Sequence, residues 1–195
     1  LPEAVTAALV GARGRRVALY AGRLAPNKGL DMVVDAAAGT PDWFFAIAGE
    51  DARGDYRARL GERAAGLDNI AFLGWVPNAA MPSLYDEAGV VLLPFLRKEP
   101  LSRGMVEALS RGRAIAATAQ GGPLDAVEEG RNGALFAPAP GELAAALERL
   151  GRADLGALGA ASRRIYEERF SPDRVVDAHL EAYESLVPTR GGHRD

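Results

Sequence analysis

Most of the apolar runs in this sequence are continuous rather than alternating. They are Val17–Ala21 (VALYA), Trp43–Ala48 (WFFAIA), Asn69–Leu73, Gly89–Leu93, Ala114–Thr118 and Ala134–Ala137. A strand wetted on one face alternates apolar and polar residues, whereas a strand that is apolar throughout is buried on both faces. The intervening segments have helical spacing instead. Leu30, Val33, Val34 and Ala37 fall on one side of a helix over 30–38. Further helices are predicted over Tyr56–Ala65, Met81–Ala88, Glu142–Leu150, Leu155–Phe170 and Arg174–Leu186, with a helical turn at Leu124–Glu129. Short buried strands alternating with helices require an α/β architecture. The expected fold is a doubly wound parallel sheet of about six strands flanked by helices. The last two helices have no strand between them, and Ser171-Pro172 supplies an N-cap and a first-turn proline for the final one.

The chain divides into a polar lead-in over 1–16, opening with a short loop or helix fragment, an α/β domain over 17–170, a carboxy-terminal helix over 171–187 and a tail over 188–195. At 195 residues, 48% of them hydrophobic, it can fill one core. Its first residue is Leu1 rather than Met, as expected of a piece cut from a longer protein. The net charge is −3 with arginines and acids interspersed, which does not read as a nucleic-acid surface. Without cysteine there is neither a disulfide nor a thiolate metal site. His179 and His193, in the last helix and the tail, are the only histidines and do not suggest a metal site. No apolar run reaches the roughly 18 residues of a membrane span and no signal peptide is present, so a cytoplasmic location is expected.

Ligands of doubly wound sheets bind beyond the carboxyl ends of the strands. The loops there are 22–29, 49–55, 74–81, 94–103 and 118–123, and they hold most of the chemically loaded residues. Phe95–Gly122 is the densest stretch. It carries two carboxylates, Glu99 and Glu107, with seven residues between them and a helix start near Ser102 or Arg103. Met105, Ala108, Leu109 and Gly112 form a small or apolar stripe, and Glu107 lies off it with Arg103 and Ser110. Unpaired N–H groups and the helix dipole at such a start attract phosphate. A carboxylate close by suits a ribose diol, because it accepts two hydrogen bonds at once. Arg23 and Lys28, in the first strand-to-helix loop, are either solvated cations or a pair that faces a diphosphate.

The run GRLAPNKGLDMVVDAAA, followed by AIAGED and by NIAFLGWVPNAAMPSLYDEAGVVLLPFLRKEPLSRGMVEALSRGRAIAATAQGGPLDAVEEGRNGALFAP, resembles the carboxy-terminal, donor-binding domain of family four retaining glycosyltransferases. These are glycosyl transferases group 1 with the GT-B fold, so the sheet would be Rossmann-like. The resemblance covers Val17 to Leu150 and, more loosely, the last two helices. It implies that Arg23 and Lys28 neutralise the diphosphate of a nucleotide sugar. Glu107 would bind the ribose hydroxyls, and Glu99 would hydrogen-bond the donor sugar. Backbone N–H groups at Leu101, Ser102 and Arg103 would contact sugar or phosphate. Gly74, Trp75 and Val76 would flank the base, while Gly22 and Gly49 would sit at the strand ends where the donor approaches. Three positions depart from the family pattern. Ser102 stands where glycine is frequent, Arg103 where an apolar residue is frequent, and Asp125 where glutamate is common. Ser102 is read as a helix cap. Arg103 reaches either phosphate or water, and Trp75 either packs or stacks on a base.

The implied reaction transfers a sugar from a nucleotide diphosphate sugar, UDP- or GDP-linked, with retention at the anomeric carbon. It needs no metal or other cofactor. Arg23, Lys28 and Glu99 are the residues placed closest to the chemistry. The acceptor would be bound by an amino-terminal domain missing from this chain, which also would carry any peripheral membrane attachment, so the piece alone would be inactive. A non-catalytic nucleotide-sugar module and one subunit of a split enzyme are the alternatives. A dinucleotide oxidoreductase is disfavoured, because no G-x-G-x-x-G follows the first strand.

Overall fold

The computed structural model describes residues 1–51 and 54–186. The predicted tail 188–195, residue 187 and positions 52–53 of the 49–55 loop lie outside the described residues. The six strands are β1 (Arg16–Ala21), β2 (Trp43–Ala48), β3 (Ile70–Gly74), β4 (Val90–Leu93), β5 (Ala114–Thr118) and β6 (Gly133–Phe136). They form one sheet in the order β3-β2-β1-β4-β5-β6, and every pairing is parallel. The expected fold is thus the observed one. Every residue of β2, β4 and β5 is buried, as their unbroken apolar runs require. The edge strand β3 is half-buried throughout.

The two faces of the sheet carry separate cores. Ala18 and Tyr20 of β1, Phe45 of β2 and Leu92 of β4 point to one face. There they meet α2 (Leu30–Gly39), α3 (Asp55–Arg63) and α7 (Glu142–Gly151) through Val33, Leu60 and Leu147. Leu19, Phe44 and Val91 point to the other face, as the two-residue strand period dictates. There they meet α4 (Met81–Glu87) and α5 (Arg103–Ser110) through Leu84, Met105 and Leu109. The helix α8 (Leu155–Ile165) lies beside α5.

Three predicted elements differ. The polar lead-in contains a full helix, α1 (Glu3–Val10), which packs near β3 and buries Val5. One buried side chain in eight residues gives little periodicity to read. The expected helix over 155–170 changes to a π turn at Tyr166–Phe170 before α9 (Pro172–Leu186). The expected helical turn over 124–129 is the shorter α6 (Pro123–Ala126), because Asn132 captures the next residues. Its side chain accepts from Glu128 N at 2.7 Å and donates to Ala126 O at 3.0 Å. The helix α9 buries none of its residues and exposes Val176, Leu180 and Tyr183 along one stripe. No helix among the described residues is long and apolar enough to cross a membrane.

Candidate functional site

The strand order reverses between β1 and β4, so the loops leaving these strands diverge and open a crevice. The β1 loop is tied down on both sides. The Tyr20 hydroxyl donates to Arg23 O at 2.8 Å, and the N–H of Gly22 donates to Ala48 O at 3.0 Å. With its backbone fixed and Leu24 buried, the Arg23 side chain is left exposed. A single 3-10 turn, Pro26–Lys28, then raises Lys28 toward the β4 loop. Gly29 closes this turn at φ 74°, where a Cβ would overlap the carbonyl oxygen of Pro94. Lys28 Nζ lies 3.0 Å from Glu99 Oε1 and 4.9 Å from the centre of the Phe95 ring. Asn27 Nδ2 also donates to Glu99 Oε1, at 3.4 Å.

The β4 loop is held from the other side by the double glycine. Gly122 N–H donates to Glu99 O at 2.8 Å, and a Cβ on Gly121 or Gly122 would overlap the backbone of residues 99–101. Gln120 adds a 2.7 Å bond to Phe95 O. The loop delivers the start of α5, where Ser102 Oγ accepts from Met105 N at 3.3 Å. Ser102 therefore caps the helix. The N–H groups of Arg103 and Gly104 occupy the first helical turn and have no intrahelical acceptor. Met105, Ala108 and Leu109 anchor the buried side of α5, which turns Glu107 to the crevice. Tyr85 Oη donates to Glu107 Oε2 at 2.9 Å, and Arg103 Nε lies 3.7 Å from Oε1.

Burial raises the Tyr20 and Tyr85 phenols well above their ordinary value of 10.0. At Tyr85 the adjacent Glu107 charge adds to this effect. Both hydroxyls therefore remain donors throughout the ordinary pH range.

These elements enclose a cavity of about 490 Å³. Of the residues singled out from the sequence, Gly22, Arg23, Lys28, Gly49, Trp75, Val76, Ser102, Arg103 and Glu107 line it. Gly74 stands just behind, its carbonyl accepting from Gly49 N at 2.8 Å. Glu99 and Leu101 line a neighbouring depression of about 760 Å³ with Leu124 and Asp125, and Glu99 touches the first cavity through Lys28. Trp75 is 64% exposed at the rim rather than packed. Arg103 is largely exposed and leans toward Glu107. The cavity also takes in Tyr20, Glu50, Asn78 and Tyr85, which the sequence reading passed over. Tyr20 lies inside an apolar run and Tyr85 follows Leu84 in a predicted helix, so both read as core. Glu50, two residues past the end of β2, has the positional signal. Among the described residues no group of three His, Cys, Asp or Glu side chains is placed to hold a metal ion.

A 3-2-1-4-5-6 parallel sheet with a charged crevice at its switch point is a Rossmann-like domain. The sequence profile of the family described as Glycosyl transferases group 1 matches residues 15–152. The chain belongs to that family and has its GT-B type of Rossmann-like fold. It is 29% identical over 194 residues to spore coat protein SA of Bacillus subtilis, covering 90% of this chain and 50% of that protein. It is 31% identical over 193 residues to D-inositol 3-phosphate glycosyltransferase of Mycolicibacterium paratuberculosis, covering 95% and 44% respectively. Among solved structures, Anabaena HepE in complex with UDP superposes with a TM-score of 0.78 at 26% identity, covering 95% of this chain and 53% of that one. The C-terminal domain of a group 1 glycosyl transferase from Francisella tularensis has the same fold. It superposes with a TM-score of 0.72 at 24% identity, over 82% of this chain and 88% of that domain. The chain thus spans about half the length of the relatives it matches.

Proposed function

We propose that this chain is the donor-binding half of a retaining glycosyltransferase and holds a nucleoside diphosphate sugar in the β1–β4 crevice. One observation carries this reading. Two cations, an unpaired helix start and a carboxylate one turn into that helix converge on one cavity of about 490 Å³. Each suits a different part of such a donor. Arg23 and Lys28 face the diphosphate, with the N–H groups of Arg103 and Gly104 at the same charge. Glu107 accepts from the ribose diol, and Trp75, at the rim with Val76, offers a face to the base. Glu99 stands beyond Lys28, on the side where the sugar extends. HepE of Anabaena, solved with UDP-glucose, supports a nucleotide sugar in a fold of this kind.

In the transfer, the bond between the anomeric carbon and the diphosphate oxygen breaks as the acceptor oxygen bonds to that carbon. The acceptor proton passes to the leaving diphosphate. Negative charge then grows on the leaving group, where Arg23, Lys28 and the start of α5 stabilise it electrostatically. Glu99 orients the sugar and is not assigned as a nucleophile. The acceptor is held by an amino-terminal domain. The bare apolar stripe of α9 supports a further partner surface of that kind.

Calorimetric titration with UDP, GDP, ADP, TDP and NAD tests this reading. One diphosphate is expected to bind, and Lys28→Ala and Glu107→Ala are each expected to weaken it by about tenfold or more. Unchanged affinity in both variants would remove the donor from this crevice. Robust sugar transfer by the 195-residue chain alone would overturn the half-enzyme reading.

A further inference from the structure

We infer that Tyr85 is a positioning residue that makes the site selective for ribonucleoside over 2′-deoxyribonucleoside diphosphates by holding Glu107 in one orientation. The inference rests on the donor-site reading above. Glu107 sits on α5 with its side chain 40% exposed, where a glutamate is ordinarily free to change rotamer. Its only close partner among the described side chains is Tyr85, whose hydroxyl donates to Oε2 at 2.9 Å. Arg103, at 3.7 Å and 84% exposed, is too distant and too mobile to fix it. Tyr85 itself cannot wander. It is 1% exposed, and α4 wedges its ring into the core beneath α5. The hydroxyl emerges from that core at the cavity wall, so a rigid donor reaches the carboxylate from below.

The geometry leaves room for a diol. A carboxylate offers about four lone-pair positions, and the phenol uses one of them. Both oxygens can still accept one hydroxyl each from ribose. A 2′-deoxyribose supplies only one and leaves the other oxygen facing the cavity unpaired. Discrimination depends on the carboxylate being fixed before the ligand arrives: two simultaneous bonds need both oxygens in place at once, whereas a single bond is made as well by a carboxylate that swings.

The test measures binding of UDP and 2′-deoxy-UDP, with GDP and 2′-deoxy-GDP as a second pair, to wild type, Tyr85→Phe, Glu107→Gln and the double variant. Wild type is expected to prefer the ribose form by about tenfold. Tyr85→Phe is expected to weaken the ribose form several-fold while leaving the deoxy form unchanged, so the ratio collapses. In Glu107→Gln the ratio is expected to be low already, and adding Tyr85→Phe is expected to change it no further. Equal weakening of both forms by Tyr85→Phe, or an unchanged ratio, would overturn the inference while leaving the donor site standing. An absence of binding by any of these nucleotides to wild type would instead remove the donor-site reading itself, and this inference with it.

Discussion

At the residue scale, the crevice depends on positions where backbone meets backbone. Gly49 has φ 136°, and a Cβ there would overlap the carbonyl oxygen of Gly22. Any side chain would force apart the ends of β1 and β2, and with them the loop that presents Arg23. Gly49→Ala is expected to lower stability by about 2 kcal/mol or more and to weaken nucleotide binding, read from urea unfolding midpoints and calorimetry. A variant as stable as wild type would show that the two strand ends can separate freely. This position was legible as a glycine at a strand end, and the structure adds the particular contact. Other residues were less legible. Lys28 and Glu99 are far apart in sequence, and nothing local says that they form an ion pair at 3.0 Å. Tyr85 reads as core in LYDEA because its ring is core, and only its terminal oxygen belongs to the site.

At the element scale, α5 joins fold and site. Its buried residues Met105, Ala108 and Leu109 set its rotation, and that rotation turns Glu107 to the cavity. Ser102 sets where the helix begins, and thus which N–H groups face the crevice. Ser102→Ala is expected to cost about 1 kcal/mol in urea denaturation. It is also expected to loosen diphosphate binding, since fraying shifts the unpaired donors. Ser102→Asp is expected to restore stability without restoring affinity, because its charge would repel phosphate. Equal recovery of both would separate the cap from the ligand. Elements with strong periodicity or unbroken apolar runs were legible to within a residue or two. Those held by one contact were not, as α1 with its single buried Val5 and α6 with its stop at Asn132 illustrate.

At the scale of the whole molecule, the two faces of the sheet each bury a tyrosine whose hydroxyl serves the crevice, Tyr20 on one face and Tyr85 on the other. Both phenols are raised above the ordinary 10.0 by burial. A raised folded value means that the protonated form is the one the fold favours. This contribution is fully present below about pH 10, the unfolded value, and declines as pH rises beyond it. Urea midpoints are expected to hold steady from pH 8 to 9.5 and to fall between pH 10 and 11.5. Tyr20→Phe and Tyr85→Phe together are expected to make that fall shallower, with Tyr56, whose phenol burial and Asp31 also raise, carrying part of what remains. An equally steep decline in the double variant would assign it to other groups.

The crevice lies across the β1–β4 seam, where Ala18 pairs with Val90 although most of the first half of the chain runs between them. Joining residues so far apart carries an entropic cost of loop closure that the contacts across the seam must offset. Arg23 and Lys28 arrive with β1, while Ser102 and Glu107 arrive after β4. Each half-sheet therefore carries half of the cavity proposed to hold the donor, and neither carries the whole of it. A molecule that binds only the finished crevice acts as a clasp across the join, and its binding free energy adds to the resistance of the two halves to coming apart.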